Sequence, residues 1–196
     1  MQNIYLIRHG EKNLTPPDPG LTLKGFQQAV NTGAYFKNLN DFCIISSPLT
    51  RTIQTATKIA EQLNSNFISE KLLKERINFG DDPNQTKEEF VNDWRLSTKD
   101  RNYIPSVGES SEQTGERMYK YIMSLPHSPK NIILITHGGA IADFLRTSFG
   151  DEVIFPKLFN HEKQREFHVP HCAINHLIRD EKKIKIKKIN FVDHLL

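Results

Sequence analysis

The sequence predicts an α/β fold, read as a three-layer α/β/α sandwich with a mostly parallel central sheet and a small helical lid. Two observations carry this. Short apolar runs recur, each followed by a polar turn: "IYLI" before Arg8, His9 and Gly10, "FCIISS" before "PLTRTIQTATKIAEQL", and "NIILIT" before "HGGAIADFLRTSF". In the second and third, the turn opens directly into a helical pattern. Strand, turn and helix in alternation are the signature of a parallel sheet covered by helices.

The elements follow in order. Ile4 to Ile7 form a buried strand that ends abruptly on Arg8 and His9. Thr22 is positioned to cap a helix over "LKGFQQAVNTGAYF", with Phe26, Ala29, Val30, Gly33 and Phe36 near one face. Ser47 is the expected N-cap of the next helix, with Pro48 at its first position and Ile53, Ala56, Ile59, Ala60 and Leu63 as its stripe. Arg51 then lies in or beside the first turn, at the helix end that attracts anions. Around 81–107 the periodicity weakens to one helix near Phe90, Trp94 and Leu96, which reads as an inserted lid. Its Arg95, Lys99, Arg101 and Tyr103 face either substrate or solvent. Ser110 and Gln113 have capping-box spacing before a further helix. The chain closes on a strand pair, "CAINHLI" and "IKIKKINF", whose alternating lysines suit an exposed sheet edge.

The bulk numbers narrow the function. A chain of 196 residues suits one domain, here 1–196. The formal net charge of +3 is a mild excess that implies neither nucleic acid nor membrane, and oligomeric state is not readable. No apolar run reaches transmembrane length and no leader pattern is present, so a cytoplasmic protein is expected. Cys43 and Cys172 read as buried thiols in strands rather than a disulfide.

Four elements carry chemistry: Arg8-His9-Gly10, Arg51, Glu75 and His137-Gly138. Parallel pairing of the strands before three of them would gather two histidines, two arginines and one carboxylate at one sheet edge. That set is poor for a metal, because it lacks cysteine and the arginines repel a divalent cation. It suits a phosphate dianion, whose oxygens match the guanidinium fork. His161, His168 and His171 precede the last strand pair, and without cysteine or ligand spacing they are expected on the surface or in the core.

The segments "LIRHGE", "GLTLKGFQQA", "SSPLTRTIQTA", "LLKERINFG", "GES" and "ITHGG" occur in order along nearly the whole chain. In these the sequence resembles the histidine phosphatase superfamily, the branch containing phosphoglycerate mutase and small phosphatases. The resemblance implies His9 as nucleophile, Arg8, Arg51 and His137 as the phosphate pocket, and Glu75 as proton donor, with Glu70 and Glu11 as alternatives for the donor. It implies no cofactor and no metal. The small-molecule partner would be a phosphomonoester, hydrolysed through a phosphohistidine. A mutase-type phosphotransferase, a protein phosphohistidine phosphatase and a non-catalytic phosphate-binding module are the alternatives. The acid phosphatase branch normally continues Arg-His-Gly with Arg and Pro, whereas Glu11, Lys12 and Asn13 follow here. One departure stands out. Much of the family has asparagine six residues after the nucleophile, where this chain has Thr15, with Asn13 nearby.

Overall fold

The structure, a computed structural model, describes residues 1–161, 166–181 and 183–196. A six-stranded sheet has the order β3-β2-β4-β1-β5-β6. Its strands are β1 (Gln2–Arg8), β2 (Phe42–Ser46), β3 (Ile68–Ser69), β4 (Asn131–Thr136), β5 (Ile174–Arg179) and β6 (Ile184–Phe191). The first four pair in parallel, while β5 runs antiparallel to β1 and β6 antiparallel to β5. The helices are α1 (Leu23–Tyr35), α2 (Thr50–Gln62), α3 (Lys87–Lys99), α4 (Ser111–Ser124), α5 (Gly138–Phe149) and α6 (Asp151–Leu158).

Strand alternation creates the layers. Ile4 and Leu6 of β1, with Ile132 and Leu134 of β4, face Met118 and Ile122 of α4 and Ile141, Phe144 and Leu145 of α5. Tyr5 and Ile7, with Ile133 and Ile135, face the other way onto Phe36 and the Ala56, Ile59 and Ala60 stripe of α2. A strand buried on both sides reads as an unbroken apolar run, which is why β1 and β4 look as they do. Each such side chain stabilises the fold by roughly 1.5–3 kcal/mol relative to exposure.

Local signals set several boundaries. Thr22 caps α1, accepting from the Gly25 amide at 3.0 Å. Ser110 and Gln113 close a capping box on α4, and Thr86 and Glu89 close another on α3 that the sequence reading missed. The expected start of α2 needs correction. Leu49 is its N-cap and Ser47 and Pro48 precede the helix. The Ser47 hydroxyl is drawn instead to His137, and Asp18 accepts from the Thr50 amide at 2.9 Å, doing the cap's work from another loop. Cys43 does lie in a strand but is only partly buried, and Cys172 is buried but sits before β5, with φ of 52°. β3 and α6 were not anticipated. β3 is two residues long, and α6 is short and interrupted by Pro156.

Two glycines let α1 press onto the loop after His9. A Cβ on Gly25 would lie 2.0 Å from the Glu11 carbonyl oxygen, and one on Gly10 would lie 2.5 Å from that of Gly25. Lys185, Lys187 and Lys188 are exposed on the edge strand β6. Among the described residues, no helix is long and apolar enough to cross a membrane.

Candidate active site

β1 and β4 are adjacent and in register, with Arg8 opposite Thr136. The residues that follow them, His9 and His137, therefore emerge side by side at the carboxyl edge of the sheet. The His9 amide donates to the Thr136 carbonyl at 3.0 Å, and the Ser47 amide after β2 donates to that of Ile135 at 2.9 Å. The two imidazoles meet edge to face with ring centroids 5.4 Å apart. Both are buried, His9 3% exposed and His137 not at all.

The geometry fixes one tautomer. His9 Nδ1 lies 2.7 Å from the Gly10 carbonyl oxygen, which can only accept, so Nδ1 carries the proton and Nε2 keeps its lone pair. Burial holds His9 well below the usual imidazole range, and Arg8, His137 and Arg51 push the same way against the opposing Gly10 bond. His137 is likewise held well below its usual range, by burial first and then by Arg51 and Arg8. Its Nε2 is 2.8 Å from the Ser47 hydroxyl, and its buried Nδ1 has no hydrogen-bond partner among the described residues.

The cations come from three directions. Arg8 is the last residue of β1, and its side chain lies over the start of α5, where a Cβ on Gly138 would be 3.2 Å from Arg8 Nε. Arg8 Nη1 donates to the Val169 carbonyl at 2.6 Å. Arg51, in the first turn of α2, is buried. It donates to Asn78 Oδ1 at 3.1 Å and pairs with Asp18 at 3.5 Å, while its buried Nε has no partner among the described residues. Burial pulls the Arg51 guanidinium below its usual value against the attraction of Glu75, Asp18 and Asp81. Lys12 brings a third cation, half-buried and lowered by burial and then by Arg51 and Arg8.

Glu75 reaches the site from the segment after the 3-10 turn Lys71–Leu73, which Thr136 ties to β4 through the Leu73 carbonyl at 2.7 Å. Its carboxylate sits at the amino end of α5, accepting from the Gly139 and Ala140 amides at 3.0 and 2.8 Å. Trp94 of α3 packs beside it, since a Cβ on Gly139 would be 2.6 Å from Glu75 Oε1 and 2.7 Å from the Trp94 ring. The other two acids lie elsewhere. Glu11 accepts from the Thr22 hydroxyl and pairs with Lys24, and Glu70 accepts from the Leu72 amide.

The structure thus brings together Arg8, His9, Arg51, Glu75 and His137, and adds Asn78 and Lys12, assigned no role from sequence, Ser47, expected as a helix cap, and His171, expected on the surface or in the core. His171 lies against His9 at 5.8 Å between ring centroids, whereas the exposed His161 meets Phe159 edge-on. Thr15 and Asn13 are both exposed, and Asn13 donates to the Leu21 carbonyl at 3.1 Å. Of the four polar residues in and after α3, Arg101 is engaged by Glu112 and Thr147, and Tyr103 donates to Asp93 at 2.7 Å. Arg95 donates to Asn92 at 3.2 Å, and Lys99 is exposed.

Similarity to known proteins agrees with this arrangement. The model of the histidine phosphatase superfamily, branch 1, matches residues 4–192. The chain is 33% identical over 166 residues to a probable phosphoglycerate mutase of Escherichia fergusonii, covering 76% of each. It is 30% identical over 181 residues to the 2,3-bisphosphoglycerate-dependent phosphoglycerate mutase of Bartonella quintana, covering 80% of this chain and 87% of that one. Among solved structures it resembles a phosphoserine phosphatase of Entamoeba histolytica in complex with 3-phosphoglyceric acid, with 28% identity, full coverage of both chains and a TM-score of 0.74. A mycobacterial glucosyl-3-phosphoglycerate phosphatase with inorganic phosphate shares the fold at 19% identity, full coverage of both chains and a TM-score of 0.76. A strand-borne Arg-His-Gly beside a second histidine, in a chain that matches the family over residues 4–192, makes this protein a member of the histidine phosphatase superfamily, branch 1.

Proposed function

We propose that the protein is a phosphomonoesterase that hydrolyses a small phosphorylated metabolite through a phosphohistidine on His9. The observation that carries the reading is the state of His9: buried among cations, its Nδ1 proton committed to the Gly10 carbonyl and its Nε2 without a hydrogen bond among the described residues. In the first step Nε2 attacks phosphorus and the bond to the ester oxygen breaks. Glu75 gives its proton to the departing alkoxide. In the second step water attacks phosphorus, the N–P bond breaks, and Glu75 takes the proton of the water. Arg8, Arg51 and His137 hold the non-bridging oxygens throughout. A single well-placed arginine contributes ~10³–10⁵ in rate to phosphoryl transfer. With the Ser47 hydroxyl donating to His137 Nε2, Nδ1 carries the ring proton, and it and Arg51 Nε are two buried donors without a partner among the described residues. On this reading residues 81–107 act as a lid, with Trp94 closing the side of Glu75.

A mutase-type transfer is the second reading, favoured by the curated relatives named above. Hydrolysis is preferred because the phosphoserine phosphatase neighbour aligns over its full length. Its 3-phosphoglyceric acid ligand supports small phosphorylated acids as the first substrates to assay.

Rapid mixing with a radiolabelled phosphomonoester, followed by quenching, should yield a phosphoenzyme that is acid-labile and base-stable, absent from His9→Ala. Turnover should survive chelation of divalent metal, and vanadate should compete. Normal turnover by His9→Ala would sink the mechanism. Isomerisation of 3-phosphoglycerate primed by 2,3-bisphosphoglycerate, outpacing phosphate release, would favour the mutase.

A further inference from the structure

His171 is the feature near His9 that the family motifs leave unexplained. It stands in a four-residue turn closed by the Ala173 amide donating to the Pro170 carbonyl at 3.1 Å, with Cys172 in the left-handed region at φ of 52°. The turn is tied to the end of β1. The Cys172 amide donates to the Arg8 carbonyl at 3.0 Å and to that of His9 at 3.3 Å, and Arg8 Nη1 donates to the Val169 carbonyl at 2.6 Å. These bonds set His171 beside His9, ring centroids 5.8 Å apart with the rings tilted by 46°. The imidazole is half-buried, yet neither ring nitrogen makes a hydrogen bond or ion pair among the described residues. Neither nitrogen is shut off from solvent, so water serves the donor until an anion in the pocket replaces it.

Its surroundings identify the ligand's charge. Burial first, and then Arg8, His168, Lys12 and Lys24, push the imidazole down to about 3. The ring is therefore neutral at neutral pH and presents one N–H, in a place where three cations already favour an anion.

We propose that His171 is a binding residue of the phosphoryl pocket, donating a neutral hydrogen bond to a non-bridging oxygen of the group that His9 attacks. The inference rests on the reading of His9 as the phosphoryl acceptor. It makes His171 a contact of the ground state and the transition state alike, so its loss weakens binding more than it slows the chemistry.

The test compares the wild type with His171→Phe, which keeps a ring without a donor, and His171→Gln, which restores an N–H. Inorganic phosphate is titrated by calorimetry, and KM and kcat are measured on an aryl phosphate. His171→Phe should bind phosphate about tenfold more weakly, the effect of one hydrogen bond to a charged group. KM should rise by more than kcat falls, and His171→Gln should recover most of the affinity. Phosphate affinity unchanged in His171→Phe, or a fall confined to kcat, overturns the proposal while leaving His9 as acceptor. Failure of the wild type to bind either phosphate or vanadate overturns both.

Discussion

At the scale of single residues, what distinguishes the site is how little freedom its charged groups have. Glu75 is the clearest case, since both carboxylate oxygens are held by backbone amides at the start of α5. If Glu75 protonates the leaving group, Glu75→Gln should slow turnover of alkyl phosphates by roughly 10²–10⁴, the range of general acid catalysis. A nitrophenyl phosphate needs that proton far less, so the pre-steady-state burst with it should fall much less. Equal losses in the two bursts would make Glu75 a positioning residue instead. Residues of this kind were readable from sequence to different degrees. Arg8, His9 and His137 follow apolar runs without a spacer, so the sheet alone brings them together. Ser47, Asn78 and His171 carried no such signal. The partner of Ser47 is 90 residues away and that of Asn78 is 27 away, and a hydroxyl, an amide or a loop imidazole looks the same in sequence whether paired or solvated.

At the scale of elements, α3 is coupled to α5 through charge. Arg76, next to Glu75, pairs with Asp143 of α5 at 3.1 Å, lies 4.2 Å over the Trp94 ring and donates to Thr98 and to the Trp94 carbonyl. Arg146 of α5 reaches the Thr98 carbonyl at 3.0 Å. Both members of the Arg76–Asp143 pair are buried, and removing one strands the other in a low-dielectric interior. Asp143→Ala should cost about 3–5 kcal/mol in urea unfolding, and adding Arg76→Met should recover part of the loss. Strictly additive losses would show that the pair is not coupled. The helix itself was legible from Phe90, Trp94 and Leu96, but the network was not, because Arg76 belongs to a segment with no periodicity. Likewise the start of α2 was misread because its cap, Asp18, comes from another loop.

At the scale of the whole molecule, the buried imidazoles tie stability to pH. His9 and His137 lie well below the unfolded value of about 6.5, and His171 and His194 lie at about 3 and 4. A histidine depressed in the folded state gives its full stability above the unfolded value and loses it as pH falls through that value toward the folded one. The His9–His137 pair alone should lose about 2.7 kcal/mol per pH unit once well below 6.5. Asp143 runs the other way. Burial raises it to about 6 against the pull of Arg76, so falling pH relieves its cost between about 6 and 4 and offsets one of those protons. The urea midpoint should therefore drop clearly between pH 7.5 and 5.0 in phosphate-free buffer, and a level or rising midpoint would refute the assignment of neutral buried histidines. The α/β layering was legible because β1 and β4 are apolar on both faces, whereas the strand order depends on pairings that no local pattern encodes. That order also bears on how the protein is made. β1 leaves the ribosome before the other strands of its sheet, yet its two neighbours are β4 and β5, more than a hundred residues later. With synthesis at about 5–20 residues per second, the nascent chain holds an apolar strand with both edges unpaired for several seconds at least. The same central strand that sets His9 beside His137 thus leaves the newborn chain with an apolar, aggregation-prone edge until β4 and β5 emerge.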